Sequence, residues 1–139
     1  MQLNNKFKVG DDLFVLTNYR TANKQEAAIS KAKITAVGRK YITIGNAHRF
    51  GLSDEKMIYL AEYNGADYGF DHNVKAFASE KEANDFVKST DLISSIYSET
   101  QFLRRRYETG VISFESLCEI EALLCGTKTE NAMQEDNNG

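Results

Sequence analysis

The first 78 residues consist of short runs in which hydrophobic and polar side chains alternate, with turn-forming residues between the runs. A Gly-Asp-Asp turn in "FKVGDDLFVLTNYR" leads into a β-prone run from Leu13 to Tyr19. In "ISKAKITAV" polar residues separate the apolar Ala32, Ile34 and Ala36. This period of two is typical of a strand with one face in a core and the other in solvent. The stretch "ANKQEAA" between the two runs is expected to be an exposed connection.

The segment "KITAVGRKYITI" predicts a β-hairpin and also the length of its loop. Side chains directly opposite each other share a face of the sheet, so a two-residue turn would mix apolar and polar side chains. A loop of three residues, Gly38 to Lys40, places Ile34 opposite Ile44. It also places Ala36 opposite Ile42, so that all four aliphatic side chains share one face. We therefore expect the three-residue loop.

Three more β-prone segments follow: "AHRFGL", "KMIYLAEY" and "NVKAFA", with turn sequences "SDEK" and "NGADYG" between them. Five or six short strands joined by tight turns are typical of a small closed or nearly closed barrel. The small alanine side chains on the inner face suit a barrel too narrow for large residues everywhere.

At Ser79 the hydrophobic period changes from that of a strand to that of a helix. "SEKE" predicts a capping box, with Ser79 as the N-cap and Glu82 bonding back to it. The positions that then recur at helical spacing are Ala83, Phe86, Thr90, Ile93 and Tyr97. This helix either continues to about Arg106 or breaks near residues 89–91, where a second cap is available.

Gly110 is expected to end the long helix, and Ser113 to cap a shorter one, "FESLCEIEALLCG". The apolar residues of this second helix occupy more than one narrow stripe. An isolated helix of that length is marginal in water, so it must be buried against the rest of the chain or against a partner. The polar sequence after it is expected to be disordered.

Charge divides the chain into two halves. Residues 1–60 contain ten Lys and Arg and five Asp and Glu, which gives +5, whereas residues 61–139 contain seven and fifteen, which gives −8. The total is −3. Such polarity indicates either a basic binding face followed by an acidic region or mutual attraction between the halves.

The composition is that of an ordinary globular protein, with 42% hydrophobic and 27% charged residues. No run approaches the roughly 18 apolar residues of a membrane span, and no apolar signal core is present at the N-terminus. Cys118 and Cys125 are seven residues apart on a predicted helix, two turns and about 10 Å, which is beyond disulfide reach. We expect both to be reduced and buried, and the protein to be cytoplasmic.

The sequence offers few residues for catalysis. Neither His48 nor His72 has the spacing of a metal site, although His72 with Asp67 and Asp71 leaves a cation site open. No phosphate-binding loop, serine elbow or paired carboxylates can be recognised. We expect no enzymatic activity, no catalytic residue, no metal and no cofactor.

Two surfaces are candidates for binding. The basic hairpin could neutralise phosphates, with its tyrosine as a stacking platform, or could be a solvated outer face. Its candidate residues are Lys31, Lys33, Arg39, Lys40, Tyr41 and Arg49. The helical part contains three consecutive arginines, 104–106, which point about 100° apart and so cannot all face one partner. Its candidate interface residues are Tyr97, Phe102, Arg105, Tyr107, Phe114, Leu117 and Leu124.

Four motifs together resemble one kind of small protein. They are Val9-Gly10-Asp11, "VGRKY" at 37–41, "SEKEA" at 79–83, and the short helix at 113–124. The chain is similar to the SH3-like β-barrel proteins encoded by phages and prophages, over about residues 7–124. Val-Gly-Asp turns also occur in KOW-type modules. The resemblance implies a fold and a viral setting but no settled activity, and the acidic tail departs from its pattern.

Pattern and resemblance together predict an α+β protein, a small SH3-like antiparallel β-barrel followed by a C-terminal helical extension. The expected division is a barrel over residues 1–78, a helical extension over 79–125 packed on the barrel or on a partner, and a disordered acidic tail over 126–139.

The leading functional hypothesis is a non-enzymatic phage accessory protein in the cytoplasm of a bacterial host. It would bind and modulate a host protein or protein–nucleic-acid complex by occlusion, as an anti-defence (anti-CRISPR-like) or host-takeover inhibitor. The second hypothesis is a nucleic-acid-binding module that uses the basic face of residues 31–49. A small-molecule-binding protein or enzyme is the third. We also expect a homodimer or a partner interface built on residues 97–124, and no membrane partner.

Overall fold

The computed structural model describes the backbone of residues 2–21 and 24–138 and the side chains of residues 2–18 and 26–126. The chain divides into two compact units, Met1–Asp91 and Leu92–Gly139.

The first unit contains a closed barrel of six antiparallel strands, in which each strand pairs with the next and the last pairs with the first. This confirms the prediction of a small barrel followed by C-terminal helices; the SH3-like classification stays a prediction. The strands are β1 (Asp12–Thr21), β2 (Lys24–Val37), β3 (Tyr41–Ile44), β4 (His48–Gly51), β5 (Leu60–Tyr63) and β6 (Phe70–Phe77).

Alternate side chains of the strands fill the barrel. Leu13, Ile34, Ile42 and Phe50 are at most 1% exposed, as expected from the period-two pattern. A short 3-10 turn, Leu3–Asn5, precedes β1 and was not apparent in the sequence. It adds the buried side chain of Leu3 to the same core, and Phe7 follows it there.

The hairpin between β2 and β3 has the predicted three-residue loop, and Ile34 pairs with Ile44 as expected. The expected pairing of Ala36 with Ile42 is wrong, because β2 contains an irregularity between Ile34 and Ala36. Val37 now lies opposite Ile42 and packs against the core, while Ala36 is exposed. One extra residue in one strand shifts the pairing of every position beyond it by one residue.

The expected exposed connection "ANKQEAA" is strand from Lys24 onward. Backbone pairing continues from Asn18 opposite Ala27 to Thr21 opposite Lys24, so β1 and β2 form one long hairpin. Ala22 and Asn23 lie outside the described residues.

The first helix, α1 (Glu80–Thr100), begins with the predicted capping box. Glu82 N–H donates to Ser79 Oγ at 3.2 Å, and Ser79 N–H donates to Glu82 Oε2 at 3.2 Å. Ala83 is fully buried in a second cluster with Leu16 and Phe77. The first turns of α1 therefore pack on the outside of the barrel, and the first unit includes α1 as far as Asp91.

The helix α1 neither continues to Arg106 nor breaks near residues 89–91. Ser89 Oγ donates to the Phe86 carbonyl within the helix instead of capping a new one. The break comes at Phe102, which has φ −101° and ψ 5°. Thr100 Oγ1 donates to the Tyr97 carbonyl just before it, and such back-bonding competes with the helical pattern.

The second unit continues with α2 (Leu103–Glu108) and α3 (Phe114–Asn138). Gly110, predicted as the stop, has a left-handed φ of 76°. The predicted cap of α3 is present, since Ser116 N–H donates to Ser113 Oγ at 3.1 Å. The helical backbone of α3 includes the tail after Gly126, but its side chains from Thr127 lie outside the described residues. The disorder of this tail in solution stays a prediction.

Cys118 and Cys125 are not joined in a disulfide. Cys118 is exposed and Cys125 is half-buried, so the expectation that both are buried is wrong. Across the described part of the chain, no helix combines the length and apolar character needed to cross a membrane.

Candidate nucleic-acid interface

Four strands place one group of side chains on a single face of the barrel. Arg49 in β4 lies opposite Thr43 in β3 and opposite Tyr63 in β5. Tyr63 in turn lies opposite Phe70 in β6. Tyr41 is two residues before Thr43, so it projects from the same face next to Arg49. Cross-strand neighbours on one face are close enough for aromatic side chains to touch.

The three rings form a continuous group, here called the aromatic cluster: Tyr41, Tyr63 and Phe70. Tyr41 and Tyr63 are stacked, with ring centroids 4.6 Å apart and an angle of 22° between the planes. Phe70 lies 5.1 Å from Tyr63 and is tilted by 53°. The Arg49 guanidinium carbon lies 5.7 Å from the Tyr41 centroid and 5.1 Å from that of Tyr63. A cation in this position is attracted to the ring faces.

Gly51 makes room for Tyr41, its partner across the β3–β4 pair. A methyl group at position 51 would lie 2.7 Å from the carbonyl oxygen of Lys40 and 2.9 Å from Cδ1 of Tyr41. Both distances are shorter than a carbon atom tolerates. The place of the aromatic cluster therefore depends on a residue without a side chain.

The Tyr41 hydroxyl stays protonated around neutral pH. Partial burial raises its pKa above the usual 10.0, the side-chain hydrogen bond with Tyr63 raises it further, and the Arg49 charge opposes both. The Tyr41 hydroxyl thus adds no negative charge to the face, and Arg49 beside it adds a positive one.

A pocket of about 310 Å³ adjoins the aromatic cluster at the β2–β3 loop. We call it the loop pocket; its lining residues are Leu3, Arg39, Lys40, Tyr41, Leu52, Glu55 and Phe70. The loop is held from two sides, because Leu3 N–H donates to the Arg39 carbonyl at 2.9 Å and Gly38 N–H donates to the Tyr41 carbonyl at 2.8 Å.

The structure brings together four of the six residues proposed from the basic hairpin. Arg39, Lys40 and Tyr41 line the loop pocket, and Arg49 lies over the aromatic cluster. Lys31 and Lys33 are exposed on β2, opposite Phe14 and Asp12 of β1. Lys33 Nζ lies 2.7 Å from Asp12 Oδ1, so its charge is paired within the barrel.

The two histidines have local partners. His48 Nδ1 lies 3.0 Å from Glu62 Oε1, and His72 Nδ1 lies 2.9 Å from the Tyr59 hydroxyl. Asp71 Oδ1 accepts the Asn73 N–H at 2.9 Å, an ordinary turn contact. Among the side chains that the structure describes, no group of three or more metal-binding residues is present, the Asp67–His72 segment included.

The candidates in the helical part have different environments. The large and exposed ones, each with between 48% and 68% of the residue's surface accessible, are Tyr97, Phe102, Tyr107, Phe114 and Leu124. Leu117 is half-buried, and Arg105 is exposed with its carbonyl accepting the Thr109 hydroxyl. Of the arginine run, Arg106 forms an ion pair with Glu99.

Sequence reasoning missed Tyr63, Phe70 and Glu55. Tyr63 has the period of a strand residue, but its position next to Tyr41 depends on the order of strands around the barrel. Phe70 lay outside the predicted last strand, which began at Asn73, and Glu55 was assigned to a turn.

The chain is similar to a family of phage domains. No curated protein matches the chain, and no solved structure does. The family model described as the phage ProQ C-terminal-like domain matches residues 1–132, nearly the whole chain. This match supports the phage setting that the motifs implied, and it leaves the SH3-like and KOW-like assignment a prediction. The chain therefore belongs to the family of phage ProQ C-terminal-like domains.

Proposed function

We propose that the protein is a non-enzymatic phage protein that binds single-stranded nucleic acid on the barrel face formed by the aromatic cluster and the β2–β3 loop. The observation that carries the proposal is the stack of Tyr41 on Tyr63 with Arg49 over both rings, next to Arg39 and Lys40.

Each part of this face matches one part of a nucleic acid strand. Aromatic side chains stack on bases, which contributes about 1–3 kcal/mol per base whatever the base. Arg and Lys neutralise phosphates and release counterions. The rings of Tyr41, Tyr63 and Phe70 are half-buried and therefore held in place, whereas Arg39, Lys40 and Arg49 are exposed. Stacking on protein rings requires unpaired bases, so a single strand fits better than a duplex.

The charge distribution agrees with this assignment. The protein carries −3 overall, but residues 1–60, which hold the loop and β4, carry +5. A local basic face attracts phosphate within a Debye length, about 10 Å at 0.1 M salt, even when distant parts of the chain are acidic.

The test is the fluorescence anisotropy of labelled single-stranded RNA and DNA, titrated with protein between about 50 and 200 mM salt. Affinity should fall as salt rises, by roughly one unit of logarithmic slope per phosphate contact. The double variant Arg39→Glu, Lys40→Glu should bind at least tenfold more weakly and with a smaller slope, because it removes two such contacts. Lys88→Glu, an exposed lysine on α1, is the matched control and should bind like the wild type.

Lys33 is a poorer test of the same idea. Because Lys33 is paired with Asp12, Lys33→Glu places two carboxylates together and disturbs β1 and β2 as well as any phosphate contact.

Binding that is absent for the wild type at the lowest salt, or unaffected by the Arg39 and Lys40 changes, would contradict the proposal.

A second function, a protein interface on the helical unit, is supported by its exposed apolar side chains. Among the side chains that the structure describes in this unit, the large exposed hydrophobic ones are Leu92, Ile93, Ile96, Tyr97, Phe102, Tyr107, Val111, Phe114, Leu123 and Leu124. Apolar surface on this scale is typical of an interaction site. A host target in the bacterial cytoplasm, inhibited by occlusion, remains part of this proposal. No described residue favours an anti-defence target over another host macromolecule.

A further inference from the structure

The loop pocket combines groups that are complementary to a nucleobase. Leu3 and Leu52 contribute apolar surface to the pocket. Tyr41 and Phe70 contribute two aromatic rings, with ring centroids 6.4 Å apart. The charged residues are two cations, Arg39 and Lys40, and one carboxylate, Glu55. Phosphate binding alone would not require a carboxylate, which repels phosphate.

We propose that the loop pocket binds one unpaired guanine base of the strand; this inference rests on the proposed function. The argument depends on the two polar edges of guanine. One edge carries the acceptors O6 and N7, the pair that Arg and Lys most often recognise. The other edge carries two adjacent donors, N1–H and the N2 amino group. A pocket for guanine therefore needs a cation and a carboxylate, and the loop pocket contains both.

The other bases fit the same groups less well. A carboxylate only accepts hydrogen bonds. Adenine and cytosine present Glu55 with a single amino donor beside a ring nitrogen whose lone pair repels it. Uracil presents one N–H between two carbonyl oxygens. Only guanine offers a carboxylate two parallel donors while its acceptor edge remains available to Arg39 or Lys40.

The pocket is fixed before a ligand binds. The Leu3–Arg39 and Gly38–Tyr41 backbone hydrogen bonds hold the loop, and Leu3 itself is 1% exposed in the barrel core. Tyr63 stacks on one face of the Tyr41 ring and so holds it in place. Little ordering is needed on binding, which favours discrimination between bases.

The experiment compares labelled RNA oligonucleotides of about nine nucleotides, a length within the usual site size. One contains only uridine, and the others carry a single central guanosine, adenosine or inosine. Inosine lacks the N2 amino group but keeps O6, N7 and N1–H, so it removes one donor from the edge assigned to Glu55. We expect the guanosine oligonucleotide to bind about tenfold more tightly than the uridine and adenosine ones, and inosine to lose part of that gain.

Glu55→Gln should abolish the difference between guanosine and inosine, by the logic of a double-mutant cycle. Glu80→Gln, which removes an exposed carboxylate at the start of α1, should keep the guanosine preference. Equal binding of guanosine and uridine oligonucleotides overturns the guanine pocket and leaves the proposed function standing. A difference between guanosine and inosine that survives Glu55→Gln overturns it as well. Failure of every oligonucleotide to bind overturns both proposals.

Discussion

At the scale of single residues, Gly51 controls where the Tyr41 ring can lie. We predict that Gly51→Ala destabilises the protein by about 1–3 kcal/mol, the usual cost of forcing a methyl group into a packed site. The methyl group would meet backbone at Lys40 and ring atoms of Tyr41, and the backbone cannot move aside easily. Chemical denaturation measures the loss.

The matched control for this prediction is Gly126→Ala, where an added methyl group meets open space. That change should be neutral or slightly stabilising, since Ala is the better helix former. Nucleic acid binding should weaken for Gly51→Ala because the stacking platform moves. A Gly51→Ala protein with wild-type stability and affinity would show that the close approach does not matter.

The Asp12–Lys33 pair gives a prediction about pH. The hydrogen bond from Lys33 lowers the pKa of Asp12 below its usual 3.8; partial burial opposes this, and the charges of Lys33 and Lys31 add to it. A lowered pKa means that the ionised carboxylate stabilises the fold above the unfolded-state pKa, and that this stability is lost as the pH falls through the folded-state pKa.

Lys33→Met should therefore raise the Asp12 pKa and reduce stability at neutral pH, with the two proteins becoming equal in stability at acid pH below the Asp12 pKa. An NMR titration of the Asp12 carboxyl carbon measures the first effect, and denaturation at both pH values measures the second. Lys31→Met, which removes only a weaker charge effect, should shift the Asp12 pKa less. An unchanged Asp12 pKa in Lys33→Met would refute the assignment.

Most of the candidate site was beyond what residue patterns alone could predict. Arg39, Lys40 and Tyr41 are consecutive, so the sequence placed them together. Tyr63 and Phe70 reach Tyr41 only because β4 and β5 lie between β3 and β6 in the barrel, and no local pattern specifies that order. Glu55 belongs to a turn whose position over the loop follows from the same closure.

At the scale of elements, the sequence predicted the helix caps but not the irregularity in β2. The capping box at Ser79 and the cap at Ser113 use residue types with a known local geometry. The irregularity in β2 has no comparable signal. Thr35 Oγ1 lies 3.2 Å from the Thr43 carbonyl and 2.9 Å from that of Gly45, contacts between strands that a single strand does not reveal.

The capping box predicts a specific effect on the barrel. Ser79→Ala should cost about 0.5–2 kcal/mol, because it removes the acceptor of the Glu82 N–H. Ala83, the residue after Glu82, is fully buried against Leu16 and Phe77. Fraying of this turn therefore also exposes Leu16 and Phe77 on the outer side of the barrel. Thermal unfolding followed by the near-ultraviolet signal of the aromatic cluster measures the change.

Ser113→Ala is the control, because it removes a similar cap from α3 in the other unit. It should reduce helical content with little change in the unfolding of the barrel. Equal effects of the two substitutions on the barrel signal would mean that the start of α1 does not contribute to barrel stability.

At the scale of the whole molecule, the chain separates two kinds of surface. The first unit contains the basic and aromatic face, and the second contains exposed apolar side chains and the ion pair of Arg106 with Glu99. The change of hydrophobic period at Ser79 predicted the start of the helices, and the first compact unit extends beyond it to Asp91, since the first turns of α1 pack on the barrel. Spacing alone could not show which helical positions face a core.

Those apolar side chains lead to the last prediction, that the protein self-associates through residues 92–124. In α3, Leu123 is 84% exposed and Leu124 is 67% exposed, whereas Leu117 is half-buried. Association through these leucines would be favoured by about 25 cal/mol for each Å² of apolar surface that it removes from water. Leu117→Asp would also affect folding, so the better variant is Leu123→Asp with Leu124→Asp, which changes only exposed positions.

Light scattering over a range of protein concentrations should give a mass above the 15.7 kDa of one chain for the wild type, rising with concentration. The double variant should stay at the mass of one chain with an unchanged circular dichroism spectrum. Glu121→Gln is the control, because it changes an exposed position on the same helix and leaves Leu123 and Leu124 in place. It should associate like the wild type. A wild-type mass of one chain at every concentration would rule out the homodimer and leave these leucines to a partner of another kind.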